Sequence, residues 1–210
     1  MKNINYKDRL NFSATLRNRE PISDVLASYI PQNGTILEIA SGSGEHAVFF
    51  QDLFPSIVWQ SSDPNVLHRK SIISWIAHFR LSSIMPEPLD IDVLKRPWPI
   101  PTRLGSLIKG IVCINMIHIS PWSCTRALFE ESKNILKEHQ FLMLYGPFIR
   151  RDKHTSESNL NFDQALKSQD PHWGLRHLDR VNEIAFENGF VQEKMVEMPA
   201  NNLSIIYKYK

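Results

Sequence analysis

An α/β fold with a largely parallel sheet is predicted for this 210-residue chain by three observations. Strand-like and helix-like segments alternate along it. The run Thr35-Ile36-Leu37-Glu38-Ile39-Ala40 passes directly into Ser41-Gly42-Ser43-Gly44 and then into a helix-like stretch. A buried strand that turns sharply into a helix places closely approachable backbone at the helix N-terminus. Two strand-like runs near the C-terminus, Phe190 to Glu197 and Leu203 to Tyr209, read as a closing antiparallel pair.

The elements follow in order. Ile22, Val25, Leu26, Tyr29 and Ile30 recur at helical spacing, with Pro21 suited to the first turn. Strand one spans Thr35 to Ala40, and a helix runs from Glu45 to Phe54. Ile57 to Gln60 is a short second strand ending at Ser61-Ser62-Asp63-Pro64. Ile72, Ile73, Ile76 and Phe79 mark the next helix. The proline-rich stretch from Pro86 to Pro101 is expected to be irregular around a short third strand at Leu89 to Val93. Ile111 to Ile114 has the continuous apolar character of a central strand. Leu128, Ser132 and Ile135 fit a helix before a strand at Phe141 to Tyr145. The stretch from Gly146 to Trp173 has no clear period and reads as a lid or binding segment. Leu178, Val181, Ile184 and Ala185 give a last helix capped by Gly189. The expected organisation is one domain over residues 1–210, with residues 1–30 over the site and residues 146–176 as a lid or substrate segment.

Composition bounds the function. Twenty-four basic and 22 acidic side chains give a net charge of +2, which argues against nucleic acid or an anionic membrane as partner. The one local basic cluster, Arg150, Arg151 and Lys153, is interrupted by Asp152 and reads as a solvated loop. Cys113 and Cys124 suggest neither a disulfide framework nor a metal site, so no metal is expected and a reducing, cytoplasmic setting fits. The N-terminal 20 residues have no apolar signal region, and no stretch approaches a membrane span.

Polar residues recur at the strand ends. Glu38 closes strand one. Asp63 lies 19 residues after Gly44 at the end of strand two, where an acid accepts hydrogen bonds from ribose hydroxyls. Asp92 near the end of strand three is placed to accept from an adenine amino group, and Asn115 follows strand four. Each alone is more often a turn residue or helix cap. Together they point to a nucleoside cofactor. Gly42-Ser43-Gly44-Glu45-His46-Ala47 also satisfies the dinucleotide fingerprint with alanine last, which keeps a nicotinamide-dependent oxidoreductase open. Glu38 and the short chain favour a nucleoside carrying an amino-acid tail.

Glu38-x-Ala40-Ser41-Gly42-Ser43-Gly44 resembles motif I of the class I methyltransferases that use S-adenosylmethionine. More specifically, the chain resembles the methyltransferase-like protein 26 family. The segments that carry this are Arg17 to Ile22, Leu37 to His46, Trp59 to Asp63, Cys113 to Pro121 and Tyr145 to Phe148. Ser158 to Asp163, Asp170 to Arg176 and Met195 to Asn202 extend it toward the C-terminus. The resemblance implies a doubly wound, Rossmann-like sheet of seven strands, mostly parallel with an antiparallel last strand. It implies S-adenosylmethionine as cofactor, with Gly42 and Gly44 near its methionine part, Asp63 at the ribose and Asp92 at the adenine. Ala40 stands where the first glycine of the motif is common. The family carries no settled reaction, so the acceptor stays open.

Several residues are candidates for chemistry. His118, three residues after Asn115, is a candidate general base, and Tyr145 at the end of strand five is a candidate to orient the acceptor. Arg17 and Asn18 are candidates to contact cofactor or substrate. Asn159, Phe162, Asp163, Trp173 and Arg176 suggest a partly enclosed pocket for a small polar or aromatic acceptor, against the alternative of a satellite cluster under a long loop. The predicted activity is O- or N-methylation of a small molecule. A methyltransferase-fold protein that binds cofactor or partner without catalysis is the other alternative. Methylation of nucleic-acid bases is disfavoured: Asn115 is followed by Met116 and Ile117, not by the Asn-Pro-Pro-aromatic signature.

Overall fold

The computed structural model describes residues 8–151 and 153–210, so the first seven residues of the expected N-terminal segment, and Asp152, lie outside the described residues. Two compact units make up the chain, the first ending at Val112 and the second beginning at Cys113. The first contains α1 (Ser13–Leu26), β1 (Thr35–Ile39), α2 (Glu45–Leu53), β2 (Val58–Ser61), α3 (Val66–His78), a short α4 (Thr102–Gly105) and most of β3 (Ile108–Ile114). The second contains α5 (Trp122–Ile135), β4 (Phe141–Gly146), β5 (Phe148–Arg150), β6 (Lys153–His154) and α6 (Glu157–Gln169). After these come β7 (Arg176–His177), α7 (Leu178–Glu187), β8 (Phe190–Met198) and β9 (Asn202–Tyr209).

Six strands form the main, mostly parallel sheet, in the order β2-β1-β3-β4-β9-β8. All five residues of β1 are buried, Glu38 among them, as befits a strand covered on both faces. β1 and β2 run parallel in the register Thr35↔Val58 to Glu38↔Ser61. Their carboxyl ends are therefore level, and the turn after β1 lies beside Ser62 and Asp63. The C-terminal pair is antiparallel, Phe190↔Tyr209 to Met198↔Asn202, and β9 is also antiparallel to β4, Phe141↔Lys208 to Gly146↔Leu203. This matches the expected closing pair. β8 is largely exposed and carries Glu193, Lys194 and Glu197 along its length, with an irregularity between Gln192 and Lys194. Charge and a bulge both discourage a further strand from adding there.

Three expectations need correction. The main sheet has six strands rather than seven, because the segment at Leu89 to Val93 makes one parallel bridge, Leu89 with Ser62. Leu89 donates to the Ser61 carbonyl and accepts from the Asp63 N–H, both at 3.0 Å. Pro86 and Pro88 on its N-terminal side have no N–H to extend a ladder. The first helix begins at Ser13, so Pro21 is inside it and not in its first turn. The helix buries Thr15, Asn18, Ile22, Ser23 and Leu26, a face whose N-terminal half is polar and therefore hidden from an apolar count. The segment expected to be irregular, residues 146–173, holds a β5–β6 hairpin and the 13-residue helix α6. The buried face of α6 is Asn159, Asp163 and Leu166. That is helical spacing written mostly in polar residues. Ser156 caps it, its hydroxyl accepting from the Asn159 N–H at 3.1 Å.

Within each unit, aromatic side chains pack against one another in a largely aliphatic core. In the first, Phe50 and Trp59 are fully buried with ring centroids 4.9 Å apart. Gln51, fully buried on α2, donates to the Ile57 carbonyl and accepts from the Trp59 N–H, which fixes the entry into β2. In the second, Phe129 meets Phe190 and Tyr207 edge-on at 5.6 and 5.3 Å. Each such buried aromatic contributes roughly 1.5–3 kcal/mol through burial.

Candidate functional site

The strand-to-helix turn of the first unit is built from left-handed backbone. Ala40 and Gly42 both have φ +56°, and Gly44, the N-cap of α2, has φ +90°. The two glycines serve different needs. A Cβ on Gly44 would lie 2.7 Å from Ile72 Cγ1 and 2.8 Å from Ile72 Cα, so its small size lets α2 approach α3. Among the described residues, a Cβ on Gly42 would meet only the ring edge of Phe12, at 3.0 Å. Ala40 holds a conformation that glycine adopts without steric cost, which accounts physically for the glycine common at that place in the motif.

Asp63 anchors this turn. Its Oδ2 accepts from the Gly42 N–H at 2.9 Å, and its Oδ1 accepts from the Asn65 N–H at 2.9 Å and from His68 Nδ1 at 3.0 Å. Among the described residues, Oδ2 keeps one acceptor site unengaged. Ser41 and Ser62 tie the ends of the two strands together. The Ser41 N–H donates to the Ser62 carbonyl, the Ser62 N–H donates to the Ser41 hydroxyl, and the Ser62 hydroxyl donates to the Glu38 carbonyl.

Glu38 is 1 % exposed, and Trp59 Nε1 donates to its Oε2 at 3.1 Å. Burial pushes its carboxyl up to about 7, against the hydrogen bonds from Ser41 and Trp59 that pull it down. His46, on the first turn of α2, places Nε2 2.8 Å from Asn18 Oδ1 and stacks on Phe50. Burial, with a smaller contribution from the Arg19 charge, pulls His46 down to about 3, so the ring is neutral. Residues 10–12 lie across this region. The Phe12 N–H donates to Glu45 Oε2 at 2.7 Å, the Leu10 N–H donates to the Ser71 hydroxyl, and Trp75 Nε1 donates to the Leu10 carbonyl. The Phe12 ring meets His68 edge-on at 5.8 Å. Phe12, Glu45, His46 and His68 were not singled out from sequence. Only His46 carried a signal, its position two residues after Gly44.

The other first-unit candidates lie elsewhere on this framework. Asp92 is partly exposed, accepts from the Leu94 N–H at 3.1 Å and lies 3.6 Å from Lys95 Nζ. Arg17 is exposed on α1, whereas Asn18 on the same helix is buried and bonded to His46.

In the second unit, Asn115 has φ +57°, and its N–H donates to the Tyr145 carbonyl at 2.9 Å. Three residues on, His118 is 3 % exposed, and its Nδ1 has no hydrogen-bond partner among the described residues. Burial, and then the Arg176 charge, pull His118 down to about 4. A Cβ on Gly146 would lie 3.1 Å from both His118 Cε1 and Nδ1, so only glycine leaves space along that edge of the ring. The Phe162 ring, 41 % exposed, meets His118 edge-on at 5.7 Å. Tyr145 is buried in β4 opposite Ser204.

The remaining second-unit candidates are engaged by their own surroundings. Arg176 donates from Nε to the Ile117 carbonyl and from Nη2 to the Ser120 and His172 carbonyls, clamping the loop that carries His118. Burial holds its guanidinium below the usual value. Asn159 donates to the Thr155 hydroxyl and to the Asn201 carbonyl, which uses both amide protons. Asp163 accepts from the Leu175 N–H, Lys167 Nζ and His154 Nε2 at 2.7, 2.6 and 3.0 Å. Burial raises its pKa, but the three donors outweigh it and hold the carboxyl below its ordinary value. Trp173 packs on the small cluster of Ile149, Leu166 and Leu175. Among the described residues, no group of three or more His, Cys, Asp or Glu side chains is arranged to hold a metal ion, and no helix is long and apolar enough to cross a membrane.

Comparison with known proteins places the chain. A family model described as a protein of unknown function, DUF938, matches residues 9–209. The chain belongs to the DUF938 family. Solved structures similar to this DUF938 protein include methyltransferases. The mitomycin 7-O-methyltransferase MmcR aligns at a TM-score of 0.73 and 15% identity over 92% of this chain and 54% of its own. Human N-acetylserotonin methyltransferase, in complex with S-adenosylmethionine, aligns at 0.71 and 12% over 93% of this chain and 52% of its own. Geranyl diphosphate C-methyltransferase from Streptomyces coelicolor A3(2), in complex with Mg2+, geranyl-S-thiolodiphosphate and S-adenosylhomocysteine, aligns at 0.70 and 10% over 91% and 76%. The DUF938 chain spans just over half the length of the first two. At these identities the likeness shows the fold, that of class I methyltransferases.

Proposed function

We propose that this DUF938 protein is an S-adenosylmethionine-dependent methyltransferase acting on a small-molecule acceptor by O- or N-methylation. The observation that carries this reading is the Gly42 turn suspended from Asp63, with one acceptor site of the carboxylate unengaged among the described residues. A nucleoside diol needs such an acceptor at the end of β2. The residues present suit the cofactor in a second respect. Glu38 is a buried carboxyl held near neutrality, and an ammonium group beside it would favour its charged form. Gly42, Gly44 and Ala40 shape the turn, Asp92 is assigned to the adenine, Asn115 is assigned to the cofactor, and Asn18 acts through His46. Arg17 is assigned to the rim. The finer family, methyltransferase-like protein 26, is part of the same reading, supported by the segments from Arg17 to Asn202 quoted above. So is a cytoplasmic setting.

When bound, the cofactor supplies an electrophilic methyl group on a sulfonium. The chain's own contribution is orientation and proton removal. His118 is neutral throughout the physiological range, and its Nδ1 has no partner among the described residues, so it is assigned as the group that takes the acceptor's proton. A buried base of such low proton affinity suits an acceptor that is itself acidic, or one whose proton leaves late. Phe162 presents an open ring beside His118, while Arg176, Asn159, Asp163 and Trp173 hold the surrounding wall. Tyr145 is assigned to orienting the acceptor.

A second reading is binding without transfer. The internal engagement of Arg176, Asn159 and Asp163 favours it, because polar groups that serve the fold are not available to a substrate. The test is S-adenosylhomocysteine formation from S-adenosylmethionine with panels of phenols, carboxylic acids and amines. Turnover that falls in kcat rather than KM in His118→Gln supports the first reading. Cofactor binding with no turnover on any panel supports the second.

A further inference from the structure

The cluster that the sequence presents as a solvated basic loop lines a cavity. Arg150, Arg151, Lys153 and His154, from β5, β6 and their turn, form one side of a space of about 440 Å³. The segment from Glu197 to Leu203, which joins β8 to β9, forms the other. The volume lies within the range of small-molecule sites. No residue assigned above to cofactor or acceptor lines it.

Its charge is unbalanced. Among the described residues Glu197 is the one acid in the lining, and its Oε1 is 2.9 Å from Arg150 Nη1. Arg151 and Lys153 remain, and neither has an ion-pair partner among the described residues. Both line the space and are exposed. Hydrogen-bonding capacity is added by Asn201 and Thr155, whereas the Asn202 amide is spent on the Pro199 and Ala200 carbonyls, and an apolar floor is added by the buried Leu203 and Met198.

The walls are fixed. Ala200 and Asn201 hold φ +56° and +57°, a region that residues with a side chain occupy only when their surroundings hold them there. Here Asn159 does so, donating to the Asn201 carbonyl at 3.1 Å. On the facing wall His154 is held by Asp163, which is buried and anchored in turn by the Leu175 N–H. A space with two cations that have no ion-pair partner among the described residues, an amide side chain and an apolar floor matches a small molecule with an anionic end and an apolar body.

We propose that this cavity is a binding site for the carboxylate or phosphate group of a small amphiphilic ligand, with Arg151 and Lys153 as its principal cationic contacts and Leu203 and Met198 beneath the apolar portion. The site stands apart from the methyl-transfer reading and does not depend on it. Phenyl phosphate and benzoate carry the same ring and differ in the anion, so they distinguish the two sources of charge. Each is titrated calorimetrically into the full chain at low and at moderate salt, with wild type, Arg151→Ala/Lys153→Ala and the charge-matched Lys133→Ala/Lys137→Ala. All four substituted side chains are exposed, and circular dichroism checks that the variants are folded. The expected result is saturable binding of at least one probe, weakened tenfold or more in Arg151→Ala/Lys153→Ala and unchanged in the control. Tighter binding of phenyl phosphate identifies a phosphate, and equal or tighter binding of benzoate identifies a carboxylate. Absence of saturable heat for both probes, or equal weakening in the two double variants, overturns the proposal.

Discussion

Gly44→Ala is expected to destabilise the protein far more than Gly42→Ala, although both glycines belong to the same motif. At Gly44 a Cβ would lie 2.8 Å from the Ile72 backbone, which cannot swing aside, and 2.7 Å from its side chain. Overpacking of this kind costs about 1–3 kcal/mol. Alanine at φ +90° adds roughly 1–2 kcal/mol of backbone strain. The stiffer unfolded chain returns about 0.4–1 kcal/mol. The net is about 2–4 kcal/mol, a large part of a typical stability of 5–15 kcal/mol. At Gly42 the only close atoms among the described residues are at the edge of the Phe12 ring, which can rotate, so roughly 1 kcal/mol of backbone strain remains. Gly105, with nothing within 4 Å of a Cβ, is the control, and Gly105→Ala should be neutral or slightly stabilising. Urea denaturation reads all three. With a slope of about 2 kcal/mol/M, Gly44→Ala should lower the midpoint by about 1–2 M. A midpoint for Gly44→Ala equal to that for Gly42→Ala would refute the assignment of Gly44 to helix packing.

Further expectations concern titration and buried polar groups. Glu38 has a folded pKa of about 7 against 4.5 unfolded, so the folded state holds the extra proton and stability falls as pH rises from about 4.5 to 7. Glu38→Gln should remove this loss, on the order of 3 kcal/mol by pH 7, and flatten the unfolding midpoint over that window. His46 and His118 have lowered values of about 3 and 4, so the unfolded chain takes up protons first and stability is lost as pH falls below about 6.5. His46→Gln should reduce that acid lability, and an unchanged profile in thermal scans from pH 7 to 4 would count against it. Asp163→Ala leaves the Leu175 N–H and two basic side chains without their acceptor and should cost about 2–4 kcal/mol in urea denaturation, whereas Lys167→Ala, more than half exposed, should cost under about 1. Arg176→Lys cannot reproduce the three carbonyl contacts of the guanidinium and should lower hydrogen-exchange protection in residues 117–120.

Much of the fold was legible because its signals are local. The strand–turn–helix at Thr35 to Leu53, the central strand ending at Ile114 and the antiparallel pair after Gly189 are all written in apolar runs and glycine positions. α6 was not, because Asn159 and Asp163 occupy the buried face that periodicity expects to be apolar. They are satisfied by Asn201, Leu175 and His154, partners 9 to 42 positions away that no local pattern reveals. The third strand was overread for the converse reason: Leu89, Ile91 and Val93 alternate well, but Pro86 and Pro88 limit pairing to one bridge. At the candidate site, the glycines and strand-end acids were visible as residue types. Which atoms they engage was not. Asp63 bonds the Gly42 N–H and His68, and Arg176 clamps the Ile117, Ser120 and His172 carbonyls. Such assignments depend on distances that the sequence does not encode locally.

The most direct test of the central claim is calorimetric titration of the full chain with S-adenosylmethionine, S-adenosylhomocysteine and a nicotinamide dinucleotide, each repeated with Asp63→Ala. The account predicts micromolar binding of the two sulfur compounds, no binding of the dinucleotide, and loss of at least tenfold in affinity in the variant. Binding of the dinucleotide in preference to both sulfur compounds, or no binding of any of the three by folded, ligand-free protein, would contradict it.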